Sequence, residues 1–233
     1  MLVNTPRKRF LFVIVAVLII WQVMRFLPQF LFGPPIQEDL IIRHPGAPVM
    51  VMVYYEALCP DSKNFIVKQL QATYRRAPEL MEVQFIPYGK ASTHVQPDGS
   101  LRFECQHGPM ECQANIYHAC AIEAIEDARA RIDVVACMIR DNQAAKEAMQ
   151  KCTREYKVEN SELIQKCYES PHGAELLKLH GDATNSLRPR MSFVPTITLD
   201  GSQGRQASIL KDLFTEVCKV AAGRGPLPDV CKP

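Results

Sequence analysis

Hydrophobic positions divide the chain into an apolar N-terminal stretch and a longer region of mixed pattern. Twelve consecutive apolar residues, Phe10–Trp21, follow a basic cluster at residues 7–9. This order is typical of an export signal, whose positive end precedes its apolar segment. We therefore predict a cytosolic basic segment over residues 1–9, a signal-anchor or signal peptide over residues 10–27 and a linker over residues 28–45.

Two fates are open for residues 10–27. A cleaved signal peptide needs small residues at its cleavage site, and no such triplet precedes the break at residues 33–35. A retained anchor needs about 20 apolar residues to cross a bilayer, and this segment has 18 positions, interrupted at Gln22 and Arg25. We favour a retained single-pass anchor with a cytosolic basic end over cleavage, and both over a buried core helix. Either export route places the rest of the chain outside the cytosol.

The next apolar run predicts a βαβ unit. Residues Val49–Tyr55 are continuously apolar with β-branched and aromatic side chains, which favours a strand buried on both faces. Apolar positions then recur at helical spacing from Pro60, which suits the first turn of a helix, until Pro78 ends the pattern. Residues Glu82–Pro87 predict the second strand, which completes the unit.

Helical periodicity dominates the middle of the chain. The predicted helices cover residues 114–125, 132–151 and 161–180. Strand character returns at Phe193–Leu199, the pair at residues 200–201 predicts a tight turn into a further strand, and Ala207–Ala222 predicts a last helix. We therefore expect one α/β domain over residues 46–222, with helices inserted between the βαβ unit and the last strands.

Charge and cysteine content narrow the function classes. The chain has 27 Lys and Arg against 25 Asp and Glu, with no block of five like charges, so we expect no nucleic-acid partner. Its nine cysteines are an odd number, and disulfides persist outside the cytosol. The count therefore predicts four pairs and one free thiol, without saying which cysteine is free.

Cys59 lies between the first strand and its helix, where unpaired N–H groups favour a thiolate, the nucleophilic form. A strand–Cys-Pro-x-x–helix segment with a later Val194-Pro195 is the arrangement of a thioredoxin-like redox site. Ser62 occupies the position of the second cysteine. It can donate a hydrogen bond to the Cys59 thiolate but cannot resolve a mixed disulfide, so product release would need an external thiol.

Each of these site predictions has a structural alternative. Cys59 would otherwise be a buried free thiol or half of a structural disulfide. Pro195, which we expect as a cis-proline beside the nucleophile, would otherwise be an ordinary edge-strand proline.

A second motif holds three cysteines, Cys105, Cys112 and Cys120, within sixteen residues together with His107. A zinc site usually contains a tight C-x2-C pair, which this spacing lacks. We therefore expect disulfides here, with no metal and no cofactor, and structural roles for His107 and His118.

This segment resembles the C-Q-H-G-x-x-E-C-x-x-N-x-x-x-x-C signature of the gamma-interferon-inducible lysosomal thiol reductase family at every fixed position. The resemblance covers about residues 46–233. It implies a thioredoxin-like fold with a helical insertion, stapled by disulfides, and reduction of protein disulfides in endosomes or lysosomes or after secretion. It also implies a nucleophile at Cys59, while the second active-site cysteine of the family would fall at Ser62. Cys59 is then the odd cysteine and the other eight form four pairs. Among them we favour Cys218–Cys231, which would tether a tail over residues 223–233.

These features predict a thiol-disulfide oxidoreductase that uses Cys59, Ser62 and Pro195. Its expected partners are disulfide-containing proteins, a low-molecular-weight external thiol and, through the N-terminal segment, a membrane. Two alternatives stay open at this point. One is a non-catalytic thioredoxin-like module that captures thiol or disulfide clients, and the other is a structural, disulfide-stapled lumenal domain.

Overall fold

The computed structural model describes Ile14, residues 16–22 and residues 46–232. Its contacts divide the chain into two units, residues 1–42 and 43–233. In the first unit the described residues are helical. No helix among the described residues is long and apolar enough to cross a bilayer. The predicted segment 1–9, the linker over residues 28–45 and the other positions of 10–27 lie outside the described residues.

A three-stranded sheet forms the centre of the second unit. Strand β1, Val49–Tyr55, is central because it pairs in parallel with β2, Met81–Pro87, and antiparallel with β5, Thr196–Leu199. Buried apolar side chains alternate along β2 and fill most of β1, as the continuous and alternating patterns require. The predicted βαβ unit is therefore confirmed.

The helix after β1 begins at Pro60, as predicted. It runs as α1, Pro60–Phe65, through a π-helical turn, Ile66–Leu70, into α2, Gln71–Arg76. A short 3-10 turn, Pro78–Leu80, follows, because a proline disfavours helical geometry in the residue before it.

The insertion begins with a hairpin that the sequence patterns did not predict, formed by β3, Ser92–Val95, and β4, Leu101–Glu104. Five helices follow, in the region where we predicted a helical block. They are α3, Pro109–Ala124; α4, Ala128–Met138; α5, Ala145–Glu155; α6, Glu162–Glu169; and α7, Pro171–Ser186. The predicted helix over residues 132–151 was wrong in its continuity, because residues 139–144 form a polar connection between α4 and α5.

The C-terminal part differs in two details from the predicted elements. β5 begins at Thr196 rather than Phe193, and the strand expected after the turn is reduced to one bridge between Leu199 and Ser202. The predicted last helix is two helices, α8, Gln206–Lys211, and α9, Leu213–Ala222. Asp212 breaks it because its extended backbone and its carboxylate cap the second helix at Thr215 N.

Disulfides fix the insertion and the tail. The four pairs are Cys105–Cys112, Cys120–Cys167, Cys137–Cys152 and Cys218–Cys231. Cys59 is free. The predicted count of four pairs and one free thiol, and the favoured C-terminal pair, are therefore confirmed. The fold is the disulfide-stapled α/β arrangement with a helical insertion that the sequence predicted.

Three hydrophobic clusters lie among the described residues of the second unit. The first packs the sheet against α2, α4, α8 and α9. The second lies among α3, α4, α5 and α6 of the insertion, and a small third cluster packs β1 and β2 against Leu187. Polar contacts also join the insertion to the active-site helix, since Gln71 and Arg75 of α2 both donate to Asp133 Oδ1 of α4, at 2.6 and 2.7 Å.

Candidate active site

The free thiol of Cys59 lies between the end of β1 and the beginning of α1. Cys59 is the N-cap residue of α1 with extended backbone, and its side chain makes no cap hydrogen bond. Its N–H donates to Glu56 O at 3.3 Å, which closes a tight turn over residues 56–59. The residue is 8% exposed. The free thiol thus belongs to a largely buried residue at the start of a helix.

The cis peptide bond that precedes Pro195 lies beside this sulfur. Cys59 Sγ donates to the Val194 carbonyl oxygen at 3.9 Å, and the Val194–Pro195 peptide bond is cis. The structure therefore brings together two of the three predicted site residues, which are 136 positions apart. A second cis bond, Arg188–Pro189, had no sequence signal that we used.

Ser62, the third predicted site residue, has a different partner from the expected one. It is fully buried in the first turn of α1, and its Oγ accepts from Glu56 N–H at 3.4 Å. We had expected this hydroxyl to face the Cys59 sulfur. Side chains in the first helical turn lean back toward the preceding residues, which brings the Ser62 hydroxyl to the backbone of the turn.

A cleft of about 310 Å³ opens beside the thiol. Residues 57–60 and Lys63 form one wall, and residues 139–143 of the insertion form the other. Lys63 Nζ donates to Arg140 O at 2.6 Å, which joins the two walls. The polar connection between α4 and α5 thus borders the cleft that opens beside Cys59.

Tyr55, His118 and Asn142, here called the neutral cluster, lie behind the active-site turn. Tyr55 Oη is 2.7 Å from His118 Nδ1, and Asn142 Nδ2 is 3.0 Å from His118 Nε2. Asn142 Nδ2 also donates to Ala57 O at 3.3 Å. Because this amide nitrogen donates both of its protons, His118 Nε2 is the acceptor and Nδ1 carries the imidazole proton.

Burial keeps the neutral cluster uncharged. His118 is fully buried, which lowers its pKa from 6.5 to about 3. Burial also raises the pKa of Tyr55 well above its usual value. Desolvation penalises the charged form in both cases. The cluster therefore remains a set of neutral hydrogen bonds at the pH of the cytosol and of an acidic compartment alike.

Glu56, His107 and Glu111, here called the carboxylate cluster, join the same turn to the beginning of α3. His107 Nδ1 is 2.5 Å from Glu111 Oε2 and 3.4 Å from Glu56 Oε2. Both carboxyl groups are buried. Burial raises the pKa of Glu56, the Lys90 N–H bond opposes this, and repulsion from Glu111 adds to it.

The signature explains how α3 holds this cluster. Gly108 is the N-cap of α3 with φ of 82°, a conformation that favours glycine, and Pro109 occupies the first turn. Glu111 is three residues after the cap, and its carboxylate accepts both the backbone N–H of His107 at 3.1 Å and the ring nitrogen. This resembles a capping box, in which a Glu at the third position reaches back to the start of the helix.

Gly89 leaves the space that the Glu56 side chain needs. A Cβ at this position would lie 2.1 Å from Glu56 Cγ, and the residue has φ of 62°. Glu56 Oε1 accepts from the next residue, Lys90 N, at 2.8 Å. The turn after β2 therefore receives the Glu56 carboxylate only because residue 89 has no side chain.

Two groups of side chains among the described residues place potential metal-ligand atoms within 4.8 Å of one another. One is the carboxylate cluster, where the Glu111 carboxylate already contacts the backbone N–H and the ring Nδ1 of His107. The other contains Cys167, whose sulfur is already in a disulfide. Neither group requires an ion to explain its geometry.

Sequence reasoning missed the groups that hold the active-site turn. Glu56, Asn115 and Asn142 were not predicted as site residues, and His118 and His107 were expected in structural roles. A signal was present for some of them. Glu111 and Asn115 are fixed positions of the signature, and Glu56 lies three residues before Cys59. Asn142 has no comparable signal in the sequence.

Comparisons with known proteins extend these observations. A family model described as gamma interferon inducible lysosomal thiol reductase (GILT) matches residues 50–156. The "Gamma-interferon-inducible lysosomal thiol reductase-like protein" of Anopheles gambiae is 36% identical over 160 residues, which cover 64% of this chain and 66% of that protein.

Two vertebrate proteins, both called "Gamma-interferon-inducible lysosomal thiol reductase", are also similar. The protein of Carassius auratus is 32% identical over 184 residues, covering 78% of this chain and 72% of that protein. The protein of Mus musculus is 30% identical over 188 residues, covering 80% and 73%. The region matched by the family model includes the three-cysteine motif, whereas Pro195 lies outside that region.

Proposed function

The chain belongs to the gamma-interferon-inducible lysosomal thiol reductase family, and on that premise we propose that it reduces disulfide bonds of proteins with Cys59 as its single nucleophile. The observation that carries this proposal is that Cys59 is the one free cysteine among the described residues and lies in the turn before a helix, beside a cleft.

The proposed cycle has three thiol–disulfide exchange steps. The Cys59 thiolate attacks one sulfur of a substrate cystine, the S–S bond breaks, and the other substrate sulfur leaves as a thiolate that takes up a proton. A low-molecular-weight thiol then attacks the Cys59 sulfur of the mixed disulfide and releases the second substrate thiol. A further small thiol regenerates Cys59 and leaves as a symmetrical disulfide.

Ser62 is the reason for the external thiol in this proposal. A dithiol site would resolve the mixed disulfide with its second cysteine, and a hydroxyl cannot do so. The burial of Ser62 and its contact with Glu56 N–H support a role in shaping the turn. Pro195 is proposed to keep the Val194 carbonyl beside the sulfur, where it meets the incoming substrate.

The compartment that we propose is based on the disulfides of the protein. Four disulfides are typical of an oxidising environment outside the cytosol. We place the protein in the endosome–lysosome system or outside the cell, with residues 10–27 as a single-pass membrane anchor. Detection of the intact N-terminus in membrane fractions tests the anchor, and recovery of a shortened chain in the soluble fraction contradicts it.

An insulin-reduction assay with excess external thiol tests the proposed reaction. The wild-type protein is expected to turn over, whereas Cys59→Ala gives neither turnover nor a trapped adduct. Ser62→Cys is expected to raise turnover when the external thiol is limiting, while the matched variant Ser62→Ala is not. Reductase activity that survives in Cys59→Ala contradicts the site.

A client-capturing module is the second candidate, and the serine at position 62 favours it. This module forms an adduct through Cys59 and keeps it. In the same assay it gives a trapped mixed disulfide with the wild-type protein and no turnover at any concentration of external thiol.

A further inference from the structure

The main chain of Ala57 is held by side chains from the helical insertion. Ala57 N–H donates to Asn115 Oδ1 at 2.9 Å, and Ala57 O accepts from Asn142 Nδ2 at 3.3 Å. Asn115 belongs to α3 and Asn142 to the α4–α5 connection. Two amide side chains, 27 residues apart in the sequence, thus bind the peptide groups two residues before Cys59.

His118 and Tyr55 close this arrangement into a ring. Asn142 gives its second proton to His118 Nε2, and His118 Nδ1–H donates to Tyr55 Oη. Tyr55 is the last residue of β1 and lies two residues before Ala57. The ring therefore starts and ends on the chain that leads to Cys59, and its members are almost completely buried.

Buried polar groups in such a ring fix one conformation, because each lost partner leaves another group unsatisfied. A loop without these partners would leave the N–H and C=O of Ala57 buried and unpaired. The contacts do not reach the Cys59 sulfur itself. They act on the turn that carries it.

We infer that Asn115, Asn142 and His118 are positioning residues for Cys59, through which the helical insertion sets the geometry of the nucleophile. The insertion is in this sense part of the site and not only a covering of the sheet. The inference rests on the proposed role of Cys59, but it concerns the conformation of the turn and applies to a reductase and to a capturing module alike.

The first test removes the acceptor for Ala57 N–H. Asn115→Leu is expected to increase the hydrogen-exchange rate of the Ala57 amide at least about tenfold, as the loss of a buried hydrogen bond predicts. The rate at which Cys59 forms a mixed disulfide with a small disulfide probe, 5,5′-dithiobis(2-nitrobenzoate), is expected to change by about tenfold, because small displacements of a reacting group have large effects on rate.

Two matched variants separate positioning from general destabilisation. Asn115→Asp keeps an acceptor oxygen and is expected to restore slow exchange of the Ala57 amide. Thr153→Val removes another buried hydroxyl of the insertion, which donates to Met149 O within α5. It is expected to lower stability while leaving the exchange at Ala57 and the rate at Cys59 unchanged.

A second, spectroscopic test does not depend on the first variant folding. Asn142→Asp replaces the donor at His118 Nε2 by an acceptor, so the imidazole proton is expected to move from Nδ1 to Nε2. The two ring ¹⁵N resonances of His118 then exchange their protonated and unprotonated positions.

The outcomes distinguish this inference from the proposed function. If wild-type Cys59 forms no mixed disulfide with the probe, the proposed function is wrong, and the exchange and ¹⁵N measurements still test the ring. If Asn115→Leu leaves exchange at Ala57 unchanged, or speeds it without changing the rate at Cys59, the positioning role is wrong. An unchanged His118 tautomer in Asn142→Asp contradicts the assigned ring.

Discussion

The neutral cluster and the carboxylate cluster support the same turn with opposite electrostatics. In the neutral cluster, His118 is fully buried among hydroxyl and amide partners, and its pKa falls to about 3. In the carboxylate cluster, His107 is partly exposed and faces two buried carboxyl groups. Both histidines belong to one signature segment and contact residues just before Cys59.

The difference teaches that the two clusters respond to acid in different ways. Protonation of His118 is opposed throughout the working range of an acidic compartment, because its burial penalises the cation. The carboxylate cluster instead contains a carboxyl group, Glu56, whose burial favours the protonated form. We therefore expect the two clusters to contribute to stability with opposite dependence on pH.

Of the changes that test this comparison, removal of the Glu111 carboxylate should lower stability the most. Glu111→Ala deletes the acceptor of the His107 backbone N–H and of its ring nitrogen. Leaving a donor without its buried acceptor typically costs about 1–3 kcal/mol, and Glu111 serves two such contacts from a fully buried position. We expect the free energy of unfolding, measured in urea with disulfides intact, to fall by about 3 kcal/mol.

An exposed pair of the same residue types gives the control. Glu104 lies 3.6 Å from His94 on the β3–β4 hairpin, and both side chains are exposed. Glu104→Ala is expected to cost less than about 0.5 kcal/mol. If both variants lose the same free energy of unfolding, the burial of Glu111 does not explain the contribution of the carboxylate cluster to stability.

The second largest effect should be the contribution of His118, in the neutral cluster, to the pH dependence of stability. Because the pKa of His118 in the folded protein lies below 6.5, the unfolded chain binds more protons between those values, and stability falls as pH falls through that window. Between pH 7 and pH 5 the loss from this group is about 2 kcal/mol. His118→Gln should lack this part of the slope, which unfolding in urea at the two pH values measures. Parallel slopes for both proteins would contradict a buried neutral imidazole.

Glu56 should show the smallest effect, with the opposite sign. Its pKa is raised above 4.5 in the folded protein, so its protonated form contributes stability that is present below pH 4.5 and is lost as pH rises through the raised value. Wild-type stability relative to Glu56→Gln is expected to be greater at pH 4 than at pH 7. The Lys90 N–H and His107 limit the effect. A difference that grows with pH would show that the carboxylate, not the acid, is favoured in the folded state.

The sequence correctly predicted features that depend on residues close to one another along the chain. A cysteine between a buried strand and a helix that begins with proline predicted both the elements and the position of Cys59 at their junction. The odd number of cysteines predicted one free thiol, and the family resemblance assigned it to Cys59. The turn-rich stretch before Cys231 correctly favoured its pairing with Cys218.

The sequence was less informative where side chains from distant segments meet. Asn142 binds Ala57 across 85 positions, and a polar residue in a predicted helix gives no sign of such a partner. Residues 139–144 were predicted as helix because apolar residues at helical spacing lie on either side of them, at Met138 and at Met149. Ser62 was expected to bind the Cys59 thiolate, but its hydroxyl contacts Glu56 N–H instead. Sequence spacing alone does not give the direction of a side chain in the first helical turn.

Gly89 has a consequence for genetics. It has no reactive group, is 30 positions from the thiol in the sequence, and yet any methyl group there would overlap with the Glu56 side chain. A random mutagenesis screen for inactive alleles should recover substitutions at codon 89 along with those at codon 59, although the first class would still carry an intact nucleophile.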